Sequence, residues 1–195
     1  MGDHPEIIEW IEKKRAAHVA ANRAISADQV AAIIDRLKRL LDEDRQLFIF
    51  GNGGSGANAT HFATDLGKSA SDKIGKRFRV LCLNDNSGWM TALANDYEYA
   101  EVFRGQLINY AKPGDMAIAL SVSGNSPNAV RAIEWAKQNG VYTLALVGSQ
   151  RGRLAELADM AIVIESSHFG CVEEAHMFIL HLVCYAFIEN PQWGL

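Results

Sequence analysis

The chain holds 195 residues, 49% hydrophobic and 22% charged, enough for one domain with a full core. A formal net charge of -4 and a pI of about 5.9 argue against a nucleic-acid surface. The N-terminus lacks an apolar signal core, no apolar run reaches the ~18 residues of a membrane span, and Cys82, Cys171 and Cys184 show no paired spacing, so a cytoplasmic protein without membrane or nucleic-acid partners is expected.

Residues 5–22 carry Ile7, Ile8, Ile11, Ala16 and Val19 at helical spacing. A second helix follows Ser26 as its cap, with Val30, Ile33, Ile34, Leu37, Leu40 and Leu41 on one side. Both precede any strand and need a partner for their apolar faces, so residues 1–44 are expected to form helices used in oligomerisation. Strands are expected at 46–50, 78–83, 116–121, 141–147 and 160–165. Helical stretches fall between them at 55–67, 87–94 with 98–110, 126–139 and 151–158, and a last helix covers 171–189 before Pro191. Such alternation implies parallel pairing with right-handed crossovers. The expected architecture is a single α/β domain over 1–195, doubly wound, its five-stranded parallel sheet flanked by helices. Lys73, Lys76, Arg77 and Arg79 read as a solvated loop, and Trp10, Trp89, Trp135 and Trp193 as packing or interface residues.

One device occurs twice. The apolar run 46–50 leads into Gly51-Asn52-Gly53-Gly54-Ser55-Gly56, and the run 116–120 leads into Ser121-Val122-Ser123-Gly124-Asn125-Ser126, each followed by helical periodicity. Helix starts carry unpaired N–H groups and partial positive charge, so they attract anions. In an open α/β sheet, ligands lie beyond the carboxyl ends of the strands, so both loops can line one crevice. Two loops in one crevice suit a polyol phosphate held at both ends. Gly51, Gly53 and Gly56 also satisfy a dinucleotide fingerprint, but the acidic residue expected about 20 residues on is displaced to Asn84-Asp85. A P-loop fails because no Gly-Lys-Ser/Thr follows. No nucleotide cofactor is expected.

Four ionisable residues lie near these loops. His61 and Asp65 are four apart on the helix opened by the first loop, and Glu173 and His181 are eight apart on the last helix. Two imidazoles and two carboxylates suit zinc or a similar divalent ion. Taken singly, His61–Asp65 describes a surface hydrogen-bonded pair more often than a ligand pair, and His181 more often a satisfied core histidine. His176 could replace or support His181, and His168 ends the last strand on the ligand side. His4 and His18 look incidental.

The Gly51–Ser55 loop, His61-Phe62-Ala63, Ala94-Asn95-Asp96, the Ser-x-Ser-Gly-Asn-Ser loop at 121–126 and the late Glu-x-x-His-x-x-x-x-His at 173–181 resemble the sugar isomerase (SIS) domain family. Within it they are most similar to the phosphoheptose isomerases, over nearly the whole chain. The resemblance implies a homotetramer with active sites at subunit interfaces, and conversion of sedoheptulose 7-phosphate to D-glycero-D-manno-heptose 7-phosphate. By position it implies substrate contacts from Asn52, Gly53, Gly54, Ser55, Asn95 and Asp96, and a phosphate loop of Ser121, Val122, Ser123 and Ser126. It also implies one zinc ion per subunit on His61, Asp65, Glu173 and His181. Two positions depart from the family pattern: Asp65 stands where the family's glutamate base is usual, and Glu173 where a ligating glutamine is usual.

The expected chemistry is proton removal beside a carbonyl and its return to the neighbouring carbon through an enediolate. Asp65 first and Glu173 second would serve as the base, with His181 moving protons between the oxygens or opening the sugar ring. The competing reading is a non-catalytic SIS module that binds a phosphosugar as an adaptor or sensor.

Overall fold

A computed structural model describes residues 4–194. Its five strands are β1 (Gln46–Gly51), β2 (Arg79–Cys82), β3 (Met116–Ser121), β4 (Tyr142–Gly148) and β5 (Met160–Ile164). All neighbours pair in parallel, in the order β2-β1-β3-β4-β5. The strand order therefore reverses between β1 and β3, where a doubly wound sheet opens its crevice. Register puts Gly51 opposite Leu120, so both glycine/serine loops leave the sheet side by side.

Alternating side chains serve two cores. Leu47, Ile49, Met116, Ile118 and Leu120 face α2 (Ala27–Asp42), α3 (Gly54–Thr64) and α9 (Phe169–Glu189). Phe48, Phe50, Ala117, Ala119 and Ala145 face the opposite layer with Ala129, Ala132 and Ala136 of α7 (Pro127–Gln138). Alanines on both sides of that contact let helix and sheet approach closely. Short helices at Ser87–Asp96, Arg104–Tyr110 and Gly152–Leu157 complete that layer.

The first helical pair divides. On α2, Val30, Ile33, Leu37 and Leu40 are buried in the chain's own core, so its apolar face needs no second molecule. On α1 (Pro5–Arg23) only Ala21 is buried, and Ile7, Ile8, Trp10, Ile11 and Val19 stay exposed. His18 meets Glu174 there, tying α1 to α9.

Several boundaries differ from expectation. The helix after the first loop runs on through a π-helical turn at Asp65–Ala70 and α4 (Ser71–Ile74), ending at Gly75 with φ 73°. Ser71 stabilises the turn: its hydroxyl donates to the Leu66 carbonyl (3.0 Å) and accepts from the Phe78 N–H (3.0 Å). The stretch expected as one helix at 98–110 is a 3-10 turn at Tyr99–Glu101 followed by a short helix from Arg104, because Val102 and Phe103 turn inward and are fully buried. The last helix starts earlier, capped by the His168 side chain, which accepts from the Cys171 N–H. By length and composition α9 is apolar enough to cross a membrane, contrary to the expectation that no run was, but its apolar face lies in the sheet's core.

The basic run is tied up in surface ion pairs: Arg77 with Asp72, Lys76 with Asp42 and Arg79 with Asp44. All three cysteines are buried and unpaired, and burial raises the Cys82 thiol above its ordinary range. Trp135 packs against the core, whereas Trp10 and Trp193 are exposed.

Candidate active site

The two loops meet in a cavity of about 100 Å³ bordered by Asn52, Ser55, Ser121, Ser123, Ser126 and Glu173, among others. On one side α3 begins. Gly53 adopts φ 54° and ψ -122°, open to glycine but not to L side chains, and this turns the chain sharply enough to aim the first α3 amides at the crevice. On the other side α7 begins at Pro127, after Ser126. Ser126 occupies the cap position, yet its hydroxyl makes no capping bond and instead pairs with Ser121 Oγ at 3.3 Å. Ser121 Oγ accepts from the Gly124 N–H and Ser123 Oγ from the Asn125 N–H. The Val122 carbonyl is committed to the Gly148 N–H. Three hydroxyls are therefore held beside a helix start. No lysine or arginine lines the cavity, so hydroxyls and two helix dipoles supply its anion affinity.

Gly124 has φ 67°, and a Cβ there would lie 2.0 Å from the Arg151 carbonyl oxygen. Only glycine fits. Asn84 brackets the other loop by accepting from the Gly51 N–H and donating to the Gly51 carbonyl.

A second constellation lies farther along α3. His61 Nε2 is 3.1 Å from Asp65 Oδ2 and 3.1 Å from His181 Nε2, while His181 Nε2 is 3.9 Å from Asp65 Oδ2. Three lone-pair-bearing atoms converging this closely require a proton or a cation between them. Four donors bound tetrahedrally at about 2.0–2.1 Å lie about 3.3 Å apart, so the spacing fits a zinc-like ion. Cys184 lies behind the group, where burial and then the Asp65 charge push its thiol well up.

Glu173 stands apart from that trio. Among the described residues the metal-competent group is His61, Asp65 and His181. The Glu173 carboxylate lies against Gly54, where a Cβ would come within 2.5 Å of it, and borders the serine cavity. Eight residues of α9 separate Glu173 from His181, about 12 Å of helical rise. Of the four residues expected from the sequence, His61, Asp65 and His181 lie together and Glu173 borders the serine cavity.

His176 is not beside His181. It points into the core, 0% exposed, and neither ring nitrogen has a partner in hydrogen-bond geometry. Burial lowers its pKa to about 4, a shift the nearby Val147 backbone only partly offsets. Asn95 and Asp96 also lie outside the cavity. They bond to each other at 3.0 Å on the end of the helix after β2, and Asp96 borders a separate open cleft of about 830 Å³ with Trp89, Tyr97 and Arg104.

Two residues at the site escaped the sequence reading. Asn128, 1% exposed, exchanges hydrogen bonds with Asn52 across the two loops, and the Tyr99 hydroxyl donates to Asn52 Oδ1 at 3.1 Å. A polar residue in the first turn of α7, directly after Ser126-Pro127, was the available signal for Asn128. Tyr99 carried none, because only folding brings it to the loop.

The chain is similar to known proteins. Residues 10–148 match the family described as the SIS domain. A phosphoheptose isomerase of Trichlorobacter lovleyi is 33% identical over 196 residues, covering 95% of each chain. A probable phosphoheptose isomerase of Thermoplasma volcanium is 38% identical over 164 residues, covering 84% of this chain and 83% of the other. Among solved structures, the phosphoheptose isomerase GmhA of Neisseria gonorrhoeae superposes with a TM-score of 0.86 at 24% identity, over 94% of this chain and 99% of that one, a likeness of fold.

Proposed function

This chain belongs to the SIS domain family, and we propose that within it the protein is an aldose–ketose isomerase, converting sedoheptulose 7-phosphate to D-glycero-D-manno-heptose 7-phosphate. Relatives along nearly its whole length carry the name phosphoheptose isomerase. The observation that carries the reading is that one helix joins two kinds of site. Its start lines the serine cavity, and farther along it presents His61 and Asp65 to His181. From Gly54 to His61 is about 10 Å of helical rise, comparable to an extended seven-carbon chain with its terminal phosphate. The serine cavity takes the phosphate, and the histidine–aspartate group takes the carbonyl end.

His61, Asp65 and His181 would hold a divalent ion, zinc by donor type, which when bound polarises a carbonyl oxygen. The protein's own groups move the protons. Asp65 is placed to take one from the carbon beside the carbonyl. His181, 42% exposed at the side chain, is placed to pass one between the two oxygens when its Nε2 is not committed to the ion. Glu173, bordering the phosphate cavity, is the second candidate for the base. The unpartnered apolar residues of α1 support assembly into a homotetramer, with Asn95 and Asp96 serving a neighbour's site. Three free thiols suit a cytoplasmic protein.

The test is turnover of sedoheptulose 7-phosphate by the wild type and by His181→Gln. The variant is expected to lose turnover by about 10²–10⁴-fold while inorganic phosphate still competes for the cavity. A wild type inert toward this substrate refutes the reading, and an unimpaired variant removes His181 from the chemistry.

A further inference from the structure

The bonding around Asn52 has only one consistent assignment. Asn128 accepts the Ala129 N–H at 2.9 Å, so the accepting atom is its oxygen and its nitrogen faces Asn52. The Asn128 amide nitrogen donates to Asn52 at 2.8 Å, which makes that atom the Asn52 oxygen. The Asn52 nitrogen donates back to Asn128 Oδ1 at 2.9 Å. The Tyr99 hydroxyl then donates to the remaining acceptor position of Asn52 Oδ1 at 3.1 Å. Both acceptor positions of the Asn52 oxygen are filled. One N–H remains uncommitted, on a side chain that borders the cavity between the two loops.

The lock is anchored at both ends. Asn128 is buried in the first turn of α7. The Tyr99 turn is fastened to the same helix by Arg131, which pairs with Glu98 and with Glu101 (2.7 Å), and Arg104 holds Glu101 from the other side (2.7 Å). Phe103, stacked on Phe50 at 4.8 Å, fixes the turn to the sheet.

We propose that Tyr99 and Asn128 are positioning residues that hold the Asn52 amide with an N–H, not its carbonyl, toward a phosphate oxygen of the substrate in the cavity between the two loops. A free asparagine amide can rotate, and its carbonyl would repel that oxygen. The phosphate carries its charge before and during the chemistry alike, so loss of the fixed donor is felt in KM more than in kcat. This rests on the isomerase reading for its kinetic consequence, but not for the lock.

Tyr99→Phe tests it, because Tyr99 is 56% exposed and its hydroxyl can be removed without opening the core. With sedoheptulose 7-phosphate, KM is expected to rise about three- to tenfold, the worth of one neutral hydrogen bond. The inhibition constant of inorganic phosphate should rise by a similar factor, and kcat should stay within about twofold. In an Asn52→Ala background the same change should have no further effect, since Tyr99 acts only through Asn52. Independently of activity, the Asn52 side-chain NH₂ pair in a ¹⁵N spectrum should exchange slowly with water in the wild type and faster in Tyr99→Phe. An unchanged KM, an equal loss in the Asn52→Ala background, or an Asn52 NH₂ pair that exchanges alike in both proteins overturns the proposal. If the wild type does not turn over the sugar phosphate, the isomerase reading fails and the amide exchange still decides the lock.

Discussion

Acidification from about pH 7 to about pH 4 should weaken this fold, and His176 should account for a large part of the loss. Its ring is fully buried and unpaired, and its pKa in the folded protein is about 4 against 6.5 in an open chain. Above pH 6.5 the ring is neutral in both states and pH has no leverage on it. Below 6.5 the unfolded chain takes up a proton that the native protein refuses until about pH 4. Stability therefore falls across that window and levels off beneath it. The gap of about 2.5 in pKa, at about 1.36 kcal/mol each, amounts to about 3 kcal/mol, a large share of a typical 5–15 kcal/mol stability. His176→Leu removes the group and its unmet hydrogen-bonding demand, so at neutral pH the variant should be at least as stable as the wild type. Urea unfolding of both proteins at several pH values between about 7 and 4 reads the effect. The variant's advantage should grow by about 3 kcal/mol as pH drops. Parallel profiles, differing by less than about 1 kcal/mol across the range, would refute the argument.

Three other outcomes follow from the site. Gly124→Ala should cost about 2–5 kcal/mol in urea unfolding, since it combines a positive φ with a Cβ driven into the Arg151 carbonyl; a neutral effect would mean that the loop is not built as described. Ser126→Ala should leave stability within about 0.5 kcal/mol, because its hydroxyl caps nothing. It should also raise the KM for the sugar phosphate about three- to tenfold. A loss near 1 kcal/mol with unchanged KM would make Ser126 a helix cap instead. Equilibrium dialysis should load about one zinc per chain on the wild type and none on His61→Ala, whereas Glu173→Ala should bind zinc like the wild type, as Glu173 lies outside the trio. Loss of zinc with Glu173→Ala would show that the helices move to bring it in.

The parts of this molecule legible in the sequence are those governed by local patterning. Continuous apolar runs at 46–50 and 116–120 ending in glycine and serine have few other uses, so β1, β3 and their loops were readable directly. The pair His61–Asp65 was readable because four residues along a helix share a face. What needed the third dimension was harder. Helix α2 reads like α1 in its apolar spacing, yet the sheet covers one and leaves the other bare. Glu173 and His181 share a helix, but 12 Å of rise parts them, and spacing alone does not say what lies opposite each. The π-helical turn after Asp65 depends on Ser71 reaching both Leu66 and Phe78. The amide lock joins Asn52, Tyr99 and Asn128, which are distant in the chain and carry no shared motif.

The most direct measurement of the central claim is isomerisation of sedoheptulose 7-phosphate in deuterated water, followed by proton NMR. Proton removal by a carboxylate through an enediolate predicts an aldose heptose 7-phosphate carrying deuterium at its second carbon. Product formed without any solvent deuterium there would contradict proton transfer through a carboxylate that exchanges with solvent, and absence of both product and exchange would contradict the isomerase altogether.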